Sequence, residues 1–275
     1  LLQFWCDHSL SRHSNKGTRL RDSPDILIAE FAEDWVLTVR GNDALRLDDF
    51  DPVSLRHQGR ILSERFGRGA TYFISPSSNA TSISADPVRP WVLRHYRRGG
   101  WVAKVTRDWY FATTVAETRA VRELRLLLAM DRLQLPVPRP IGAHVRRRGW
   151  WYQADLLMEA LVDTTPLADW PIDQWTPRWG WCIGVTLRRF HEHGVYHADL
   201  NARNLLLSRD EMVYVIDFDR GERRPRGRWC AGNLQRLRRS LKKLGCDRYP
   251  QFTEFWRALL AGYADEDAHL KAPRR

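Results

Sequence analysis

His197-Ala198-Asp199-Leu200-Asn201-Ala202-Arg203-Asn204-Leu205-Leu206-Leu207, and then Ile216-Asp217-Phe218-Asp219, is the stretch on which the reading of this chain turns. Before it, Trp179–His193 places Ile183, Leu187 and Phe190 on one helical face. After it the chain is β-rich up to Val215, and helical spacing returns over 231–244 (Leu234, Leu237, Leu241, Leu244) and 251–263. Going the other way, Trp150–Leu161 reads as a strand, and Pro136-Val137-Pro138-Arg139-Pro140 as a rigid extended connector. Residues 111–133 carry Val115, Val121, Leu124, Leu127 and Leu128 at helical spacing. Trp91–Tyr96 and the run around Gly67-Arg68-Gly69-Ala70-Thr71-Tyr72-Phe73-Ile74 read as strands, with Ser75–Pro90 as a loop between them. Residues 43–66 are mixed, 25–40 alternate weakly between helix and strand signals, and 1–24 read as a poorly ordered leader. Strands first and helices afterwards predict an α+β fold with segregated layers.

The pattern H-x-D-x-x-x-x-N, a hydrophobic strand, then I-D-F resembles the catalytic and metal-binding loops of the protein-kinase-like superfamily. That resemblance implies a two-lobed fold, with a β-rich N-terminal lobe over 25–158 and a helical C-terminal lobe over 159–275. Phosphoryl transfer needs a carboxylate to orient the acceptor hydroxyl and take its proton, and hard oxygen ligands for Mg²⁺. Asp199 is the candidate base, Asn204 and Asp217 are the candidate metal ligands, and ATP and Mg²⁺ are the implied cofactors. Asp219 stands where kinases carry the glycine of D-F-G, and is read as a further carboxylate near the metal or as a residue that fixes the turn.

Upstream, Gly67 and Gly69 let a backbone approach phosphates and are the candidate nucleotide cover, with Thr71 beside them. The next strand should supply a cation for the nucleotide phosphates. Arg94 stands in that place, where kinases use Lys, and Lys104 is the alternative. A Glu on the helix that follows should pair with the cation: Glu123, with Glu117 as its rival. No A-P-E segment follows Asp217. A short loop instead holds Arg220, Arg223, Arg224, Arg226 and Arg228, which suits an acceptor with carboxylates or phosphates.

The formal charge of +11 over 275 residues implies an anionic partner. No recognisable nucleic-acid module is present, so nucleic acid is not expected. No run approaches the ~20 apolar residues of a spanning helix, and no signal-peptide segment stands near the start, so membrane contact is expected to be peripheral. Some of the 13 tryptophans could sit at a headgroup layer beside Lys and Arg. Cys6, Cys182, Cys230 and Cys246 have spacings that fit neither a zinc site nor a disulfide framework, and read as thiols.

The resemblance narrows further. The Gly67–Phe73 run, Trp91-Val92-Leu93-Arg94-His95-Tyr96-Arg97-Arg98-Gly99-Gly100, Leu135–Pro140, Tyr196–Asn204, Asp217-Phe218-Asp219-Arg220-Gly221 and the Asn233–Lys243 segment are similar to the 3-deoxy-D-manno-octulosonic acid (Kdo) kinases of Gram-negative bacteria. The resemblance spans about residues 60–245. It implies transfer of phosphate from ATP to the 4-hydroxyl of Kdo on a Kdo-lipid A precursor, at the cytoplasmic face of the inner membrane. His95, Arg97 and Arg98 would then serve the nucleotide or the sugar carboxylate. A lipopolysaccharide-core heptose kinase is the nearest rival. A catalytically weak, kinase-like basic membrane-binding protein is the rival from another class.

Overall fold

The computed structural model describes residues 25–42, 45–66, 70–76, 89–96 and 109–265. Gly67, Gly69, Lys104, Arg97, Arg98, Cys6 and the residues 1–24 lie outside them.

Ile26–Phe31 (β1) and Asp34–Val39 (β2) pair as an antiparallel hairpin, which resolves the ambiguity of 25–40. Pro52–His57 (α1) starts where Asp51 accepts the Val53 and Ser54 N–H groups and Pro52 pre-sets the first turn. Ile61–Phe66 (β3), Ala70–Ile74 (β4), Trp91–His95 (β5) and Tyr110–Phe111 (β6) follow. Then come Arg119–Arg132 (α2), Pro140–Arg148 (β7) and Trp151–Glu159 (β8). These strands make one eight-stranded antiparallel sheet, ordered β1-β2-β7-β8-β5-β4-β3 with β6 on β8.

The two faces of this sheet are sorted by the strand period of two. Val36, Ala70, Tyr72, Trp91, Leu93, Ile141 and Leu157 pack on one face under Phe50 and Leu55. Leu37, Ala143, Val145, Ala154 and Leu156 pack on the other, with Val121, Leu124 and Leu127 of α2 in the same core.

Two boundaries differ from the sequence expectation. The helix expected over 111–133 starts only at Arg119. Tyr110 and Phe111 are drawn into β6, and Thr114 with Glu117 builds a capping box that closes a separate 3-10 turn at Val115–Glu117. Strand β7 was not anticipated. Its outer half, Arg146-Arg147-Arg148, masks the alternation, yet it pairs with both β2 and β8.

The remainder is mostly helical. Thr164–Pro166 (β9) leads to Pro177–Glu192 (α3), Val195–Tyr196 (β10), Leu205–Ser208 (β11) and Val213–Val215 (β12). Glu222–Arg223 (β13), Trp229–Lys243 (α4) and Gln251–Ala264 (α5) complete the described chain. β9, β11 and β12 form a small sheet, and β13 returns to pair with β10. Helices α3 and α5 touch backbone to backbone, because Gly180 and Gly184 face Phe255 and Leu259 and a Cβ at either would overlap a carbonyl oxygen. The architecture is a mixed α+β one with a large antiparallel sheet. Cys182, Cys230 and Cys246 are buried thiols.

Candidate active site

The loop between β10 and β11 carries Asp199 and Asn204, and three side chains, two of them buried, hold it in shape. Asn233, in α4, accepts from the His197 N–H at 3.3 Å and donates to the His197 carbonyl at 2.9 Å. Ser240, two turns further along α4, accepts from the Ala202 N–H at 3.1 Å. The His197 ring accepts from the Asp199 N–H at Nδ1 (3.1 Å) and donates from Nε2 to the Ile216 carbonyl (2.9 Å), which makes it a neutral imidazole with its proton on Nε2. Burial agrees, pushing its pKa below the ordinary value. The ring packs on Phe218, which stacks on Phe190 of α3. His197 thereby ties the Asp199 loop to the strand end that leads into Asp217.

Asp199 itself points outward, with its side chain 60% exposed. Asn201 Nδ2 donates to it at 3.3 Å, and the Arg236 guanidinium of α4 lies 3.7 Å away. Asn204 is buried; its Nδ2 donates to the Asp199 carbonyl at 3.0 Å, and its own carbonyl accepts from the Ile216 N–H. The amide nitrogen is therefore committed to the loop, which leaves the amide oxygen as the end a cation can use.

Asp217 sits in the left-handed region at φ 64, a conformation that Asp tolerates better than most side chains. Its carboxylate meets Arg94 at 2.9 Å. On its other side Arg94 donates to both oxygens of Glu123 in α2, at 3.3 and 3.0 Å. Glu123 also accepts from the Tyr96 hydroxyl at 2.5 Å and from the Phe218 N–H at 3.1 Å. One carboxylate thus joins β5, α2 and the segment after Asp217. Burial pushes the Glu123 carboxyl up, against the pull of Arg94 and the two other donors. Burial also works against the Arg94 charge, but Glu123 and Asp217 outweigh it, and the guanidinium stays protonated.

The rival partner is engaged elsewhere. Glu117 accepts from Thr113 and from the Thr114 N–H, at the surface. Asp219 pairs through both oxygens with Arg119 at the start of α2, and Arg119 lies over the Tyr110 and Tyr96 rings. Asp219 thereby ties the segment after Asp217 to the start of α2. His95 lies beside Arg94 in β5 and so points to the opposite face of the sheet, where it meets Asp155 at 2.6 Å. That removes it from the cluster around Arg94. There Asp155 bridges His95 and His144. Burial opposes its charge, but the two histidines outweigh it and hold its carboxyl below the usual range. In the arginine-rich loop, Arg224 lies 3.5 Å from the Tyr196 ring centre and pairs with Glu222, while Arg220, Arg223, Arg226 and Arg228 are exposed.

Sequence reasoning gave Tyr96, His197, Asn233 and Ser240 no structural part. A buried polar residue on the apolar face of a helix is the signal that could have marked Asn233, since such a group needs a partner. For Tyr96 and Ser240 the partners lie too far along the chain for any local pattern to show.

The lipopolysaccharide kinase (Kdo/WaaP) family model matches residues 54–263. A 3-deoxy-D-manno-octulosonic acid kinase of Photobacterium profundum is 36% identical, over 78% of this chain and 87% of its own length. A protein of the same name from Mannheimia succiniciproducens is 38% identical over 78% and 89%. One from Stenotrophomonas maltophilia is 40% identical over 72% and 76%. Among solved structures, a glucosamine kinase aligns over 90% of this chain and 82% of its own, at a TM-score of 0.43 and 14% identity. The family model covers the span that holds Arg94, Glu123, Asp199, Asn204 and Asp217, and with these relatives this chain belongs to the lipopolysaccharide kinase (Kdo/WaaP) family.

Proposed function

We propose that this protein is an ATP-dependent Kdo kinase that phosphorylates the 4-hydroxyl of Kdo on a Kdo-lipid A precursor during lipopolysaccharide core assembly. The observation that carries the reading is the joining of Arg94, Glu123 and Asp217 into one ion-paired chain. The His197–Ile216 hydrogen bond links it to the exposed Asp199. The sheet-bearing part, 25–158, acts as the nucleotide-covering lobe, and 159–275 as the catalytic and acceptor lobe, in the manner of protein kinases.

Asp199 accepts the proton of the acceptor hydroxyl as its oxygen attacks the γ-phosphorus, and ADP leaves with the bridging oxygen's electron pair. Arg94, held by Glu123, presents its charge to the nucleotide phosphates, and Gly67 and Gly69 cover them. The amide oxygen of Asn204 and the carboxylate of Asp217 are hard donors of the kind Mg²⁺ takes alongside water and phosphate oxygens, so the residues present fit that ion. Bound there, Mg²⁺ neutralises charge on the phosphates as the bond transfers.

The acceptor is lipid-anchored, and the enzyme works as a peripheral protein at the cytoplasmic face of the inner membrane. No helix among the described residues is long and apolar enough to cross a membrane. Phe111 (54% exposed) and Trp150 (63% exposed) pack at a tilt at the tip of the sheet, near the exposed Arg148. Such a pairing of aromatic and basic groups suits an anionic headgroup layer.

The test is transfer of labelled γ-phosphate from ATP to a Kdo-bearing lipid A precursor and, in parallel, to a heptose-bearing core. Label on the Kdo lipid alone supports the reading. Label on the heptose acceptor alone moves the substrate while keeping the kinase. No transfer to either by folded protein overturns it.

A further inference from the structure

The acceptor reading makes one demand that Asp199 does not meet. Kdo is an acid, and its carboxylate enters the site on the same sugar ring as the hydroxyl that reacts. A carboxylate drawn close to Asp199 without a cation would be repelled by it.

Arg236 stands where that cation is needed. Its guanidinium is 3.7 Å from the Asp199 carboxylate, too far for a hydrogen bond, and its side chain is 42% exposed. So loose a pair between exposed groups adds little stability, which leaves the donors of the fork to a ligand. The position is also rigid. Asn233, one turn before it on α4, clamps the His197 backbone, and Ser240, one turn after, holds the Ala202 N–H. Arg236 lies between two fixed points on the face of α4 that looks onto the Asp199 loop. Helix α4 carries no acidic residue to neutralise it. The neighbouring cations are placed otherwise: Arg203 leans toward Asp169, and Arg224 lies on Tyr196.

We propose that Arg236 binds the carboxylate of the acceptor sugar and so sets both the register of the reacting hydroxyl on Asp199 and the preference for an acidic sugar. The inference rests on the Kdo reading of the acceptor. A planar fork matches a carboxylate with two parallel hydrogen bonds, which Lys cannot reproduce. Arg236 is a binding and specificity residue and takes no proton.

The experiment compares wild type, Arg236→Ala and Arg236→Lys on a Kdo-bearing lipid A precursor and on the same lipid with its Kdo carboxyl methylated. Thermal melting is recorded as a check on folding. Loss of a charge-assisted contact predicts that Arg236→Ala raises KM for the acceptor about 10–100-fold and leaves KM for ATP unchanged. Wild type should lose as much on the methyl ester, Arg236→Ala should lose little more on it, and Arg236→Lys should recover only part. Equal loss of kcat by Arg236→Ala on both lipids, or an unchanged KM for the acceptor, overturns the proposal, because the residue would then act on Asp199 or not at all. If wild type transfers to neither Kdo lipid, the acceptor reading fails first and the inference falls with it.

Discussion

The two halves of the candidate site are built in opposite ways. Glu123 is committed on both oxygens: its side chain is 2% exposed, and it is bound by Arg94, Tyr96 and a backbone N–H. Around Asp199 little is committed: the side chain is 60% exposed, with one 3.3 Å bond from Asn201 and a distant arginine. The first region fixes three elements relative to one another and depends on burial for its strength. The second is a clamped loop whose carboxylate is left open, as the proposed role of base requires if a hydroxyl is to reach it. Stability and chemistry should therefore separate on mutation.

The largest effect is expected at the open region and only on activity. Asp199→Asn should lower kcat about 10²–10⁴-fold by removing the base, while its melting stays within about 0.5 kcal/mol of wild type, as for an exposed position. Loss of melting stability in parallel would break the comparison. The buried region should show the reverse. Glu123→Ala strands Arg94 and should cost about 3–5 kcal/mol in denaturant unfolding. A near-neutral result would mean that Asp217 alone can hold Arg94.

Three further predictions sharpen the contrast outside the site. His191 is buried at the end of α3 beside the Tyr263 hydroxyl, and burial lowers its pKa from 6.5 to about 4. The unfolded chain then binds the proton first, so this contribution is complete above pH 6.5 and is lost as the pH falls toward about 4. The loss amounts to about 3 kcal/mol. Unfolding midpoints measured across that window should fall, and His191→Gln should flatten the slope. Gly184→Ala should push α3 from α5 and cost about 1–3 kcal/mol, measured the same way. The smallest effect belongs to Glu117→Ala, which removes a surface cap; it should shift the unfolding midpoint least and leave KM for ATP unchanged.

How much of this was legible in the sequence depends on distance along the chain. Asp199, Asn204 and Asp217 are close in sequence, so the motif by which the chain resembles the protein-kinase-like superfamily picks them out as a set. Arg94 and Glu123 could be named from the order of elements, but nothing local separates Glu123 from Glu117. Burial decides that, because Glu123 faces the core of α2 while Glu117 serves a surface turn. That His95 lies on the other face of the sheet from Arg94 follows from the sequence, since neighbours in a strand face opposite ways. Strand β7 and the late start of α2 were hidden by arginines and by a capping box. The clamps of Asn233 and Ser240 on the Asp199 loop join residues more than 35 positions apart and are visible only in the folded chain.

The central claim is that nucleotide holding and proton transfer reside in separable regions, and calorimetric titration of ATP with Mg²⁺ into Asp199→Asn and Glu123→Gln tests it most directly. The account predicts that Asp199→Asn binds the nucleotide as wild type does, and that Glu123→Gln binds it at least about tenfold more weakly through a misplaced Arg94. Wild-type affinity in Glu123→Gln, or lost affinity in Asp199→Asn, would contradict it.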